Sequence, residues 1–346
     1  RLIGNRITGG DHGIMYRGGG SSYRAPGMEI RDNEITGVFA YGIYLQYLTG
    51  AKVENNTVTL RPASWTYSYA LELDNVEGAV RVTGNRLTGA RSNALTMQYC
   101  EATSGSPGLI ANNFIQSSNN SYAIYFYYNS FQRFYHNSVN NTSSGDALYY
   151  HGSGSADNQF RNNIFKSGTG LAIEVASSTG LTALDYNDYF TSGTYLGRWG
   201  TTNAGDLAAW QGLSSMDAHS LSFDPQFASD TDLTASSPGL ANAGTPLTEV
   251  TTDINGVTRK PSPSMGANEY DAAALMPLSG IYTIDPAGSG ERNFTNFTST
   301  VDAMLLNGIA GAVTFQVATG VYDEQFVMYD ISGGSVSNTI TYESAS

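Results

Sequence analysis

The chain has 346 residues and a formal net charge of −13, a balance that argues against nucleic acid as a partner. Only 14% of its residues are charged, and 39 Gly and 23 Tyr stand against 17 Lys plus Arg, the profile of an extracellular β-rich protein more than of a cytoplasmic enzyme. Cys100 is the only cysteine, so no internal disulfide can form, and no run reaches the ~18 apolar residues that membrane insertion needs.

From the first residues onward one phrase recurs: an apolar residue, two spacers, Asn, one spacer, another apolar residue. It reads Val53–Asn56–Val58, Val82–Asn85–Leu87 and Ile110–Asn113–Ile115. The Asn positions are 5, 33, 56, 85, 113, 137, 163 and 187, a mean period of 26 residues. A second phrase sits inside each period, as in Gly42-Ile43-Tyr44-Leu45, Ala70-Leu71-Glu72-Leu73, Ala94-Leu95-Thr96-Met97 and Ala123-Ile124-Tyr125-Phe126. Its period-two alternation is a strand signal, and the Gly, Asn and Ser between phrases are turn residues. Short strands repeating at this period bury an apolar face only by stacking one coil on the next. The expectation is an all-β fold over residues 1–190, a right-handed parallel β-helix of about eight coils at ~4.8 Å per coil. Asn is expected to form a ladder at one corner, because it tolerates left-handed backbone and its amide both donates and accepts. A solenoid needs a polar terminal cap, and Arg1-Leu2-Ile3-Gly4-Asn5 already lies within a repeat. Residue 1 is therefore expected not to be the natural start.

The phrase at this period resembles the right-handed β-helix repeats of the pectate-lyase-like superfamily, over roughly residues 1–190. That resemblance implies the fold. It leaves function open, because the superfamily holds lyases, hydrolases, epimerases, phage tailspikes and adhesins.

After Leu184-Asp185-Tyr186-Asn187 the period breaks. Asp206-Leu207-Ala208-Ala209-Trp210-Gln211 reads as a short helix, and the turn-rich series through Asp224, Asp253, Arg259 and Glu269 resembles the C-terminal end of bacterial β-helix surface proteins. Residues 191–271 are expected to close the open end of the solenoid, with those acids in turn and cap roles. Residues 272–280 read as a linker. Residues 281–346 then restart the pattern: Val301, Met304 and Leu305 share a helical face ending at Gly308, and Val313–Val317 alternates as a strand. This stretch reads as a capping helix and the start of a second β-helix module.

Chemistry is expected on the outward face of the second phrase. One column runs Met15, Tyr44, Glu72, Thr96, Tyr125, Tyr149 and Glu174, the next Arg17, Gln46, Asp74, Gln98, Tyr127, His151 and Ala176. Sugar rings stack on Tyr while amides and acids bond their hydroxyls. Tyr44, Asp74, Gln98, Tyr125, Tyr127, Tyr149 and His151 thus form a candidate glycan-binding face. Glycoside hydrolysis would need two carboxyl groups roughly 5–9.5 Å apart. Glu72 and Asp74, two residues apart on a strand, are the pair at that range. A lyase would need a base and a means of neutralising a sugar carboxylate; Lys52 and Arg81, on adjacent coils of the basic stripe Arg1, Lys52, Arg81 and Arg133, are its candidates. No dense Asp cluster marks a Ca²⁺ site, and His12, His136 and His219 lack partners at metal-ligand spacing. The reading is a non-catalytic module of a large extracellular surface protein. It would serve as adhesin or spacer, with a polysaccharide or cell-surface glycan and further modules of the same polypeptide as partners. The alternative is a polysaccharide lyase or glycosidase.

Overall fold

A computed structural model describes residues 1–61, 67–118, 120–271, 277–328 and 331–345. Among them the chain divides into two compact units, 1–271 and 272–346.

The first unit is a right-handed parallel β-helix. Each coil contributes one strand to each of three sheets. Sheet 1 holds the strands before the recurrent Asn, such as Lys52–Glu54, Arg81–Thr83 and Gly108–Ala111; sheet 2 holds those after it, such as Thr57–Leu60, Arg86–Ala90 and Phe114–Ser117. Both have eight parallel strands in strict coil order. Sheet 3 carries the second phrase, in Tyr41–Thr49, Tyr69–Glu77, Leu95–Gln98, Tyr122–Tyr127, Asp146–His151 and Ile173–Ser177 among others. Period-two alternation sends one residue of each strand inward in register. Val53, Val82, Ile110 and Phe134 from sheet 1, and Leu71, Leu95, Ile124 and Leu148 from sheet 3, are wholly buried in one continuous core.

The Asn ladder runs unbroken from Asn5 to Asn187. Each amide donates to the Oδ1 of the next Asn at 2.8–3.1 Å, and the same Oδ1 accepts the backbone N–H of the Asn below. The ladder residues are not themselves left-handed, which corrects the expected reason for their recurrence. The residue before each one is: Gly4, Asp32, Asn55, Gly84, Asn112, His136, Asn162 and Tyr186 all have φ between 52° and 67° or, for Gly84, 72°. Asn is required at the ladder for its amide, and the turn is made one position earlier.

The C-terminal stretch departs from expectation in direction. Helix α1 (Leu207–Ser214), capped by Asp206 accepting from the Ala209 N–H, does close the end of the solenoid: Trp210 is fully buried against Tyr189 and Trp199. Residues 221–271 do not stay there. They run back along the outside over the ladder corner, as a strap. Leu233 and Ala267 cover Phe114; Leu240 and Met265 cover Ile164; Val250 covers Leu109 and Tyr135. The left-handed corner residues hold it. Asn162 bonds the Thr245 backbone in both directions, Asn112 donates to the Thr252 carbonyl and accepts from Arg259, and His136 contacts the Gly266 carbonyl. Arg86 reaches Asn255, the strap contact earliest in the chain. As expected, the strap acids take structural roles. Asp224 pairs with Lys166, Asp253 accepts three backbone N–H groups, and Glu269 lies between Arg259 and Ser264.

In the second unit the strands Leu278–Ile284, Ile309–Val317 and Ile340–Ser344, with Asn293–Phe294, form a parallel four-stranded sheet. Its first strand begins inside the 272–280 stretch; residues 272–276 of that stretch lie outside the described residues. Helix α2 (Phe297–Asn307) packs Val301 and Met304 against Ile284 and Phe315, and Glu324 accepts the N–H groups of Phe297 and Thr298 at its N-terminus. No helix among the described residues is long and apolar enough to cross a membrane.

Candidate functional site

The outward face of sheet 3 gathers most of the chemistry-bearing side chains. Strand pairing places Tyr44, Glu72, Thr96, Tyr125, Tyr149 and Glu174 in one column and Gln46, Asp74, Gln98, Tyr127 and His151 in the next. A register shift after Tyr150 puts Ser177, not Ala176, opposite His151.

The aromatic groups are more numerous than those two columns. Tyr125 and Tyr149 stack with centroids 5.2 Å apart and planes 3° apart, and Tyr122 joins them 4.5 Å from Tyr149. His12, Tyr41 and Tyr69 make a second stack at 5.2 and 5.0 Å. Tyr99 and Tyr128 stand at left-handed corners and pack with Tyr127 and His151. Tyr41, Tyr69 and Tyr122 each immediately precede the Gly or Ala that opens the second phrase, so this third column was readable from the repeat. The stacking changes the geometry expected of the face. Where Tyr125 and Tyr149 turn their π-faces to each other, a sugar cannot lie flat between them, and ring edges and phenol groups are what the stack presents outward.

Glu72 and Asp74 occupy the middle of this face, 8% and 7% exposed. Gln46 Nε2 donates to Asp74 Oδ2, Asn75 donates to Asp74 Oδ1 at 2.7 Å, and Gln98 Nε2 reaches Glu72 Oε1 at 3.4 Å. Neither acid has an ion-pair partner among the described residues. Burial, reinforced by the Asp74 charge, pushes the Glu72 carboxyl up from 4.5 to about 7. A carboxyl raised on folding stabilises most below its unfolded pKa, and that contribution is lost as pH rises through 7. Glu72→Gln is therefore expected to be near neutral at pH 5 and to raise stability at pH 8, by at most about 3 kcal/mol. Thermal melts of both proteins at the two pH values check this; an equal shift at both would refute it. Asp146 and Asp217, both raised to about 6 by burial, remain in the variant as a common background.

At the far end of the face Glu174 pairs with Arg198 at 2.7 Å, and Asp146 accepts the Leu171 N–H. Glu174 lies four coils from Glu72, roughly 19 Å at ~4.8 Å per coil, so these acids cannot act on one bond.

The lyase candidates lie elsewhere. Lys52 and Arg81 are register partners on sheet 1, a different face from Glu72 and Asp74. Arg81 is held by Glu54 at 3.1 Å, and of its neighbours Arg1 and the adjacent Arg31 pair with Glu29 and Arg133 with Asp157. The structure thus brings together seven glycan-face candidates and one carboxyl pair, and leaves the two basic candidates apart from them.

Residues 1–200 match the family model described as periplasmic copper-binding protein (NosD). The chain belongs to the NosD family. The match ends one residue after the sheet 3 strand Gly197–Trp199, so the NosD-like part of this chain is the stack of coils, without the strap or the second unit. No curated protein matches the chain.

Proposed function

We propose that this NosD-family chain is a β-helical module of an exported protein, and that the outward face of sheet 3 binds a polysaccharide without cleaving it. What supports this is the continuity of that face: aromatic, amide and carboxylate side chains aligned in register over six coils. A linear polymer can run along such a strip, with Tyr edges and phenols on one side and Gln98 and Asp74 bonding its hydroxyls. Each contact contributes little beyond its buried area, and repetition supplies affinity. The second unit fits a further module. Val313 pairs with Ile340, a separation within the 23–29 residues of the coils, and α2 covers its apolar end. An adhesin or spacer role follows from such an array.

Copper is named in the family description, and the imidazoles and the thiol of the described residues do not gather as a site for it. Copper sites take imidazole, thiolate or thioether groups brought together. His12 is stacked on Tyr41, His136 is sealed under the strap, His151 packs on Tyr127 and Tyr128, and His219 is held by Asp185. Burial pushes the Cys100 thiol up to about 12. Among the described residues no three His, Cys, Asp or Glu side chains gather as a metal site.

One observation favours a second reading. Glu72, protonated near neutral pH beside Asp74, has the character of a general acid, and the pair's spacing of roughly 7 Å along the strand suits an inverting glycosidase. A glycan array with the whole chain and a Tyr125→Ala/Tyr149→Ala double variant tests both. The expected result is glycan capture by the native chain, at least fivefold weaker in the variant, with no shortening of the polymer. Equal capture by both proteins would remove the site, and depolymerisation lost in Glu72→Gln would establish the second reading.

A further inference from the structure

The ligand face is acidic on balance, with Arg17 beside Gln46 as a cation at its edge. Its acids are Glu72, Asp74, Asp146 and Glu174; Arg198 is tied to Glu174, and Arg24, which donates to the Asn75 carbonyl next to Asp74, is tied to Glu77. Beside the central pair two buried polar atoms have no hydrogen-bond partner. Gln46 is more than nine-tenths buried. Its amide is anchored by Nε2 on Asp74, which leaves Oε1 beside that carboxylate with no partner. Thr96, in register with Glu72 on the following coil, is buried with its Oγ1 likewise unpartnered. Three consecutive coils therefore line one patch with two carboxyl groups, an amide oxygen beside Asp74 and a hydroxyl beside Glu72, with Tyr44 in the same column as Glu72 and Tyr41 and Tyr69 stacked alongside. Unsatisfied buried polar atoms cost stability until a partner arrives.

We propose that the Glu72–Asp74 centre of sheet 3 recognises the ammonium group of an amino sugar, so that the polymer bound is a glycan with free amines, such as partly de-N-acetylated poly-glucosamine. An ammonium carries three donors and no acceptor, the complement of this site. A uronic-acid polymer would instead place its carboxylates against this acidic pair, where the Asp74 charge repels them. N-acetylation would remove the charge and leave a single N–H. The inference rests on the polysaccharide reading and narrows it.

The test is isothermal titration of the whole chain, at low ionic strength, with length-matched oligomers of glucosamine, N-acetylglucosamine and galacturonate. Glucosamine oligomers are expected to bind at least tenfold more tightly than the N-acetylated series, with galacturonate showing no binding. Asp74→Asn, which keeps the shape and gives Gln46 Oε1 a donor, should reduce glucosamine binding tenfold or more. Glu72→Gln should reduce it less, and circular dichroism should show both variants folded. Salt should weaken the interaction, as it does for a charge pair. If the N-acetylated or galacturonate oligomers bind as well as glucosamine, or if both variants bind like the native chain, the amine recognition is wrong while the polysaccharide reading stands. If none of the three binds and the glycan array is also blank, both fall together.

Discussion

Replacing Asn113 with Ala is expected to destabilise the first unit by about 4 kcal/mol. Its Oδ1 accepts the Asn85 backbone N–H at 2.9 Å and the Asn85 amide at 2.9 Å, and its own amide donates to the Val82 carbonyl and to Asn137 Oδ1, each at 2.8 Å. The site is wholly buried, so water cannot replace what is lost. The Asn85 N–H is left with no partner, which alone costs on the order of 1–3 kcal/mol, and three further bonds vanish with it. Asn5, at the exposed end of the same ladder, is the internal control: Asn5→Ala should cost about 1 kcal/mol or less. Urea unfolding of the two variants checks the contrast. Equal, small losses would mean that the ladder follows from the coil geometry without holding it.

The second large effect is expected at Trp210. The indole fills the end of the solenoid between Tyr189 and Trp199, and its Nε1 donates to Asp217 Oδ2 at 2.7 Å. Trp210→Ala removes the largest side chain of the core and should cost about 4 kcal/mol through transfer and cavity terms. Trp210→Phe separates the bond from the volume. Asp217 is buried with Ser220 and Tyr189 as its other donors, and its carboxyl already sits near 6 through burial. Without the indole N–H the charged form is less well held and the pKa rises further. The folded state then binds its proton more tightly than the unfolded chain does, so the deficit of Trp210→Phe should be larger at pH 8 than at pH 5. Melting curves at the two pH values decide; a deficit that is constant or larger at pH 5 would remove Asp217 from the account.

The features of this structure set by repetition were readable in the chain. A polar amide recurring at the coil period has one economical use, a ladder, and period-two alternation fixes which of Leu71, Glu72, Leu73 and Asp74 face outward. The turn residues were less legible. The left-handed position is filled by Gly, Asp, Asn, His and Tyr in different coils, so no single residue type announces it, and the recurrent Asn beside it drew the assignment. The strap was missed because a strand pattern says which side chains leave the core and not what covers them. A trace existed: the outward column of sheet 2 reads Arg6, Glu34, Thr57, Arg86 and then Phe114 and Ile164, with Ser138 between. It changes from charged to largely apolar where the strap begins to lie on it. At the candidate site the two columns were predicted and the extra tyrosines were not, although Tyr41, Tyr69 and Tyr122 recur in the repeat. Their positions fall just outside the phrase that was counted, and ring-on-ring stacking depends on side-chain rotation.

The strap also changes what kind of object the solenoid is under load. A bare stack of coils resembles a column of separable discs, each held only by the two it touches, and tension along the axis can open it at its weakest joint. Here residues 221–271 span the joints from Arg86 to Asn187 on the outside, as a splint tied at Asn112, His136 and Asn162. Between those points a pull must break several joints and the splint at once, so that stretch yields as a block. Toward the chain start, where Asn5, Asn33 and Asn56 lie beyond the splint, the coils are left to separate in succession. A solenoid built this way has a stiff shaft and a compliant end, with the Glu72–Asp74 strand between them.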